Sequence, residues 1–574
     1  MYSPCEVFSI PTIPYKGQKA GTSGLRAKVK IFTQDHYLQN FLQSIFDALP
    51  PSEYLNKSLV ISGDGRYYNN EAIQIAIRMA AGNGISKVII GQEGKMSTPA
   101  ISALIRKLNL ETPNSCAGGI ILTASHNPGG ENEDFGVKFK TNNGGPALED
   151  LTWLMHKKSE SIREFKIVYL TKNEINIKDI GIISFPNIGT EKRTFTVEII
   201  NNTENYVNLM KSIFCLEDIK KLIARKDFKM VFDGMHGASG PYAIEIFHKI
   251  LGVPIENLFH CDQLPNFGGH HPDPNLTYAE HLVKVMGLND KEVPSEIPDF
   301  GAACDGDADR NMIVGKKFFV TPSDSLAVIA ANVKSCVPYF KNGITGLSRS
   351  MATSLALSFV AKELGLKEYE VPTGWKFFGN LMDKNMINIC GEESFGTGSD
   401  HIREKDGIWA ILCWLSILAF HNKDREEGKL KSVEEIVKEH WTKFGRNYYC
   451  RYDFENVPKA ISPKFFENLT LKLKDWENVN PGNSKSDIFK YVDPVDGKTS
   501  DNQGHRFILS EGTRFVFRLS GTSTEFDVIR LYLETYKKDF SIPLAEALKE
   551  ITQKALEFSE IQKITGKDKP DVIT

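Results

Sequence analysis

Residues 59–130 read LVISGDGRYYNNEAIQIAIRMAAGNGISKVIIGQEGKMSTPAISALIRKLNLETPNSCAGGIILTASHNPGG. Short apolar runs at Leu59–Ser62, Lys87–Ile90 and Gly119–Leu122 have the length of buried strands, and helical periodicity fills the gaps to about Ala81 and about Leu108. Strand and helix in alternation predict a parallel sheet covered by helices. The block opens on a strand running into a small-residue turn, SGDGR. It closes on a strand running into a polar, glycine-containing loop, LTASHNPGG.

Working outward, the arrangement returns twice. A second block opens at Lys229–Phe232 with FDGMHG, continues with a helix near Ala243–Ile250 and ends at Phe300–Cys304 with CDGDADR. A third opens at Ile344–Leu347 with GLSRS and ends at Ile387–Cys390 with CGEESFG, followed by an apolar helix from Ile408. Ligands of open α/β sheets gather beyond the carboxyl ends of strands, so the three closing loops either converge on one site or stand as unrelated turns. After the charged stretch Lys423–Lys431 the pattern changes. Strands near Tyr448–Phe454, Arg514–Leu519 and Val528–Leu533, with helices near Pro463–Trp476 and Leu544–Phe558, predict a fourth, α+β unit. A chain of 574 residues accords with about four domains.

Bulk properties narrow the function. The 69 Lys+Arg against 72 Asp+Glu give a net charge of −3, which argues against nucleic acid as the main partner. The nine Cys are scattered without a CxxC pair, a pattern of reduced thiols in the cytosol. The N-terminal stretch MYSPCEVFSIPTIPY has no basic region and reads as no secretory signal. The longest apolar run, Ile408–Phe420, is too short to span a bilayer. These features predict a cytoplasmic protein with no membrane span.

Asp305-Gly306-Asp307-Ala308-Asp309 alternates three carboxylates with two small residues, a density of negative charge that calls for a cation. Hard oxygen ligands suit Mg²⁺ or Ca²⁺. An EF-hand is excluded because Arg310 and Lys316 stand where its Gly and Glu belong. Mg²⁺ keeps positions open for phosphate, so the triad predicts phosphoryl chemistry. Ser125 and His126 follow a buried strand and invite a nucleophile reading, yet no G-x-S-x-G surrounds them. Taken alone, that loop reads more simply as a turn whose Ser and Asn cap backbone groups. GTSGLR (21–26) and RLSGTS (518–523), with Arg530 nearby, offer N–H groups, hydroxyls and guanidinium suited to oxyanions. Walker A and dinucleotide signatures are absent. Glu392-Glu393-Ser394 and Thr373-Gly374-Trp375-Lys376 carry groups able to hold sugar hydroxyls, and Arg403-Glu404-Lys405-Asp406 adds cations, although each segment alone reads equally as plain surface.

With these segments in order, the chain resembles the α-D-phosphohexomutase superfamily, nearest its eukaryotic phosphoglucomutase branch. GTSGLR (21–26), TASHNPGG (123–130), DGDADR (305–310), PTGWKFF (372–378), GEESFGTGSDHIREKDG (391–407) and RLSGT (518–522) carry the likeness. The resemblance implies an α/β, four-domain phosphohexomutase architecture. Three similar α/β domains with mixed sheets, at residues 1–205 (serine loop), 206–320 (metal loop) and 321–432 (sugar loop), precede an α+β domain at 433–574 (phosphate loop). It implies that Ser125 carries a phosphoryl group and that one Mg²⁺ per chain lies on Asp305, Asp307, Asp309 and the Ser125 phosphate. Arg26, His126, Lys138 and Arg310 would surround the transferring group. Thr373, Gly374, Glu392, Ser394 and Lys405 would hold the sugar, and Arg518, Ser520, Gly521, Thr522 and Arg530 the non-reacting phosphate. The implied activity interconverts glucose 1-phosphate and glucose 6-phosphate, with glucose 1,6-bisphosphate as activator and intermediate. The implied partner is a small phosphosugar, with no nucleic acid, and the chain a monomer or weak homodimer. The sequence departs from the family at Ser523-Thr524-Glu525-Phe526, where smaller residues are usual.

Overall fold

The computed structural model describes residues 5–574 except 22–23, 171–173, 290–293, 481, 483 and 521–525. The 59–130 stretch forms the centre of a seven-stranded sheet. Its order is Leu25–Lys28, Asp134–Lys140, Cys116–Leu122, Ser58–Gly63, Lys87–Gly91, Arg193–Ile200, Gly181–Ile188. The four strands from Cys116–Leu122 to Arg193–Ile200 run parallel, and the edges are antiparallel, so the sheet is mixed. Central strands such as Cys116–Leu122 are buried along their whole length, because helices cover both faces.

The second unit has the strand order Leu258–Phe259, Met230–Asp233, Phe300–Cys304, Asn311–Gly315, Phe318–Val320. The third has Lys367–Val371, Gly346–Ser350, Ile389–Glu392, Gly396–Ser399. Both begin parallel and end in an antiparallel hairpin that brackets the closing loop. Thus the loop expected to hold metal sits between Phe300–Cys304 and Asn311–Gly315, and the loop expected to hold sugar between Ile389–Glu392 and Gly396–Ser399. The fourth unit is a six-stranded antiparallel sheet with the helices Ser462–Val479 and Leu544–Ser559.

Three local features differ from the sequence reading. The helix near Ala243–Ile250 is an α-turn at Gly240–Ala243 that widens to i→i+5 bonding over Ile244–Ile250. The strands opening and closing the third block are shifted toward their loops, to Gly346–Ser350 and Ile389–Glu392. The helix Val433–Phe444, read as the start of the fourth unit, lies in the core shared by the first three. Its Trp441 Nε1 donates to Asp324 Oδ1 at 3.1 Å, so the packing seam falls after this helix rather than before it.

One apolar core runs through the first three units, from Val60 and Ile101 through Phe247 and Ala302 to Leu326 and the helix Gly407–Asn422. Among the described residues no helix is long and apolar enough to cross a membrane.

Candidate active site

Ser125 follows the strand Cys116–Leu122 in left-handed backbone, with φ of 57°. Its N–H donates to Thr123 Oγ1 at 2.7 Å, and Thr123 Oγ1 donates to Asp64 Oδ2 at 2.5 Å. Arg66, fully buried, pairs through Nε with Asp64 at 2.9 Å. The same guanidinium donates to the carbonyls of Ser125 at 2.9 Å and Asp134 at 2.8 Å. The SGDGR turn therefore holds the serine loop from behind.

The Ser125 hydroxyl donates to Asp305 Oδ2 at 3.0 Å, 180 residues away in sequence. Gly306 explains the close approach: a Cβ there would lie 2.6 Å from the Ser125 carbonyl oxygen. Any side chain at that position would push the serine loop off the acidic loop. Asp305 Oδ1 accepts from the Arg310 N–H at 3.0 Å. Asp307 Oδ2 accepts from Lys138 Nζ and from Thr98 Oγ1, each at 2.6 Å. Asp309 Oδ2 lies 3.4 Å from Lys138 Nζ, and its Oδ1 lies 3.1 Å from Lys405 Nζ.

Asp305, Asp307 and Asp309 are buried, and each brings a carboxylate oxygen within 4.8 Å of the others. Asp307 Oδ1 and Asp309 Oδ1 are buried and accept no hydrogen bond. Burial, then the Asp307 and Asp309 charges, push the Asp305 carboxyl well above its usual range. Burial also disfavours ionised Asp307, but Lys138 overcomes it and holds that carboxyl low. Three converging carboxylates, with Asp307 Oδ1 left without a partner and Asp309 Oδ1 paired only with Lys405, fit a small divalent cation.

The cations expected around a transferring group assemble near the same point. Arg26 donates to Asn127 Oδ1 at 3.2 Å and Arg310 to Asp273 Oδ1 at 2.8 Å, and the Nε of each is buried without a partner. Such unspent donors are aimed for an anion. Burial, then Arg310 and Arg26, hold His126 well below the ordinary histidine value, so its imidazole is neutral. Its Nδ1 lies 3.4 Å from Ser125 Oγ.

The sugar loop meets this cluster through Lys405 and Glu392. Glu392 Oε1 accepts from the Gly374 N–H at 2.9 Å, and burial raises its carboxyl against the pull of Lys405. Thr373 Oγ1 is buried and unpartnered. Ser394 is half-buried in the hairpin loop. Lys140 pairs with Glu404 and ties the first unit to the turn between Gly396–Ser399 and the helix Gly407–Asn422. In the fourth unit Arg518 donates to Tyr532 Oη at 3.1 Å, and Ser520 ends its strand; Arg530, opposite it on the next strand, has Nε 3.5 Å from Asp453 Oδ2. Gly521 and Thr522, with the 523–525 departure and Thr22–Ser23, fall outside the described residues. The charges of Glu392 and Glu393 reach Arg518, which links the fourth unit electrostatically to the sugar loop.

Sequence reasoning missed Asp64, Arg66, Thr98, Asp273 and Arg451. Arg451 Nε lies 3.0 Å from Asp453 and its NH1 3.9 Å from Glu393, beside Arg530. Only Asp64 and Arg66, inside the quoted SGDGR turn, gave a local signal: two charged residues in a turn of small ones.

Comparison with known proteins gives the family. The chain matches the phosphoglucomutase/phosphomannomutase alpha/beta/alpha domains I (17–166), II (204–317) and III (322–444), and the phosphoglucomutase-1 C-terminal domain (446–571). The chain belongs to the phosphoglucomutase/phosphomannomutase family. The cytoplasmic phosphoglucomutase of Mesembryanthemum crystallinum is 51% identical over 583 residues, covering 99% of each chain. Phosphoglucomutase-2 of Paramecium tetraurelia is 52% identical over 567 residues, covering 98% of each. The open-form crystal structure of the Paramecium exocytosis-sensitive phosphoprotein pp63/parafusin, a phosphoglucomutase, superposes with a TM-score of 0.93 at 51% identity, covering 99% of each chain. The family is one of isomerases and generally metal-dependent, in keeping with the acidic triad.

Proposed function

We propose that the chain interconverts glucose 1-phosphate and glucose 6-phosphate through a phosphoserine at Ser125 and a glucose 1,6-bisphosphate intermediate. The observation that carries this reading is the Ser125 hydroxyl 3.0 Å from Asp305, at the edge of a three-carboxylate cage and beside buried guanidinium groups. A hydroxyl placed there has a detachable anion as its natural cargo.

Asp305, Asp307 and Asp309 would hold Mg²⁺. When bound, the cation neutralises charge on the phosphoserine oxygens and makes phosphorus open to attack. The chain's own groups do the rest. Arg26 and Arg310 offer buried N–H donors to the equatorial oxygens, where charge gathers in the transition state. Lys138 and Lys405 balance the cage from two sides. His126, held low by burial and then by Arg310 and Arg26, lies with Nδ1 3.4 Å from Ser125 Oγ, within reach for proton exchange there. As the sugar 6-hydroxyl oxygen bonds to phosphorus, the bond from phosphorus to Ser125 Oγ breaks. The proton lost by the hydroxyl equals the one Oγ gains. The bisphosphate then turns end for end, and Ser125 recovers phosphate from the 1-position.

Arg518, Ser520, Thr522 and Arg530, together with Gly521, would grip the phosphate that is not reacting. Thr373, Gly374, Glu392 and Ser394 would hold ring hydroxyls, and a buried carboxyl such as Glu392 discriminates by the hydroxyl it lacks or finds. The plant relatives' names make the cytoplasm the expected compartment. Turnover of glucose 1-phosphate by Ser125→Ala tests the reading: activity falls by three orders of magnitude or more while the circular dichroism spectrum and unfolding midpoint hold. Substantial residual turnover in that variant removes Ser125 from the role. Parallel rates on mannose and ribose 1-phosphates test the sugar, with glucose expected to lead.

A further inference from the structure

Thr98 begins the helix Thr98–Glu111 of the first unit, directly before Pro99, and is fully buried. Its hydroxyl donates to Asp307 Oδ2 at 2.6 Å, and its N–H donates to the Asp307 carbonyl oxygen at 3.0 Å. The second donor to Oδ2, Lys138, also comes from the first unit, while Asp307 Oδ1 accepts nothing. A carboxylate pinned on one oxygen by two donors cannot swing, so its other oxygen keeps one direction. Lysine alone is a poor pin, because its ammonium rides on a flexible four-carbon stem. Threonine is stiff at χ1, and this one is anchored at both ends. The preceding Ser97 caps the helix through the Ala100 N–H at 3.2 Å. Its own N–H donates to Tyr242 Oη of the second unit at 3.3 Å.

We propose that Thr98 is a positioning residue for the cation: it holds Asp307 by one carboxylate oxygen and leaves the other for the metal. The inference rests on reading the Asp triad as a divalent-cation site. It makes cation affinity a property of two docked units, since the ligand belongs to the second and its fixing donors to the first. Outer hydrogen-bond partners of metal ligands typically change affinity by roughly ten- to a hundred-fold when removed.

The test is Mn²⁺ binding to the full chain by isothermal titration, for the unchanged protein, Thr98→Val and Thr98→Ser. Valine keeps the volume and removes the donor, so Mn²⁺ binding weakens about ten-fold or more. Serine keeps the donor and stays within about three-fold of the unchanged protein, well short of that loss. Turnover of Thr98→Val is rescued by raising Mg²⁺, with the sugar KM unmoved at saturating metal, which a merely misfolded site would not show. If valine prevents folding, Thr98→Ala carries the same comparison. An unaltered Mn²⁺ affinity in the valine or alanine variant, or equal weakening in the serine variant, overturns the proposal. Absence of Mn²⁺ binding in the unchanged protein overturns the cation reading as well.

Discussion

At the residue scale, the site turns on a serine in left-handed backbone, a conformation costing roughly 1–2 kcal/mol outside glycine. The Asp64–Arg66 pair sustains it, with Arg66 donating to the Ser125 carbonyl and Asp64 reaching its N–H through Thr123. Arg66 also lies over the Phe267 ring, 5.0 Å from its centre. Replacing Arg66 with Met strands a buried carboxylate, and the expected loss is about 3–5 kcal/mol in urea unfolding. Arg66→Lys falls between, since an ammonium cannot reproduce the fork. A Met variant within 1 kcal/mol of the parent would refute this role. The acidic alternation of DGDADR was legible because its chemistry lies in adjacent residues, whereas TASHNPGG alone read as a capping turn and gained its expected role only from the resemblance. The hold of Thr98 on Asp307 and of Arg66 on Ser125 was not, because those partners lie 209 and 59 residues away. Spacing shows what a loop carries but not what stands behind it.

At the element scale, the helix Gly407–Asn422 is apolar all round and buried along nearly its whole length. At 1.5 Å per residue its 16 residues span roughly 24 Å. Asp406 starts it, accepting from the Trp409 N–H at 3.1 Å, from Tyr206 Oη at 2.5 Å and facing His401 Nε2 at 2.9 Å. The same residue thus fixes the strand-to-helix turn that carries Glu404 and Lys405. Asp406→Ala removes a cap worth about 1 kcal/mol and strands two buried donors at about 1–3 kcal/mol each. We expect a thermal midpoint lower by several degrees, with little change in metal binding; an unshifted midpoint would count against the cap. The sequence shows this helix as an unbroken apolar run. The widened turn at Ile244–Ile250 has no such mark, since i→i+5 bonding follows from packing rather than from periodicity. The third-unit strands end later than their apolar runs because pairing continues into the polar loop residues Arg349 and Glu392.

At the scale of the whole molecule, four units meet at one charged junction, and the repeated strand–loop arrangement made three of them readable in advance. Their fusion into one core was not readable, because apolar helix faces do not declare which unit they cover. Two buried histidines outside the acidic triad reduce the molecule's acid tolerance. Burial holds His440 down to about 3 and His505 down to about 4, both below the ordinary 6.5. Between those values the unfolded chain binds protons that the folded chain refuses. Stability is therefore full above about pH 6.5 and declines as pH falls, by about 1.4 kcal/mol per pH unit for each histidine. Urea unfolding from pH 7 to pH 5 checks this: His440→Gln and His505→Gln should flatten the decline, and parallel slopes would exclude them. The central claim, that Ser125 carries the travelling phosphate, is tested most directly by intact-mass analysis before and after incubation with glucose 1,6-bisphosphate. The account predicts a gain of about 80 Da, one phosphate, mapping to Ser125 and discharged by added glucose 1-phosphate. A phosphate found on any other residue, or none at all in catalytically active protein, would contradict it.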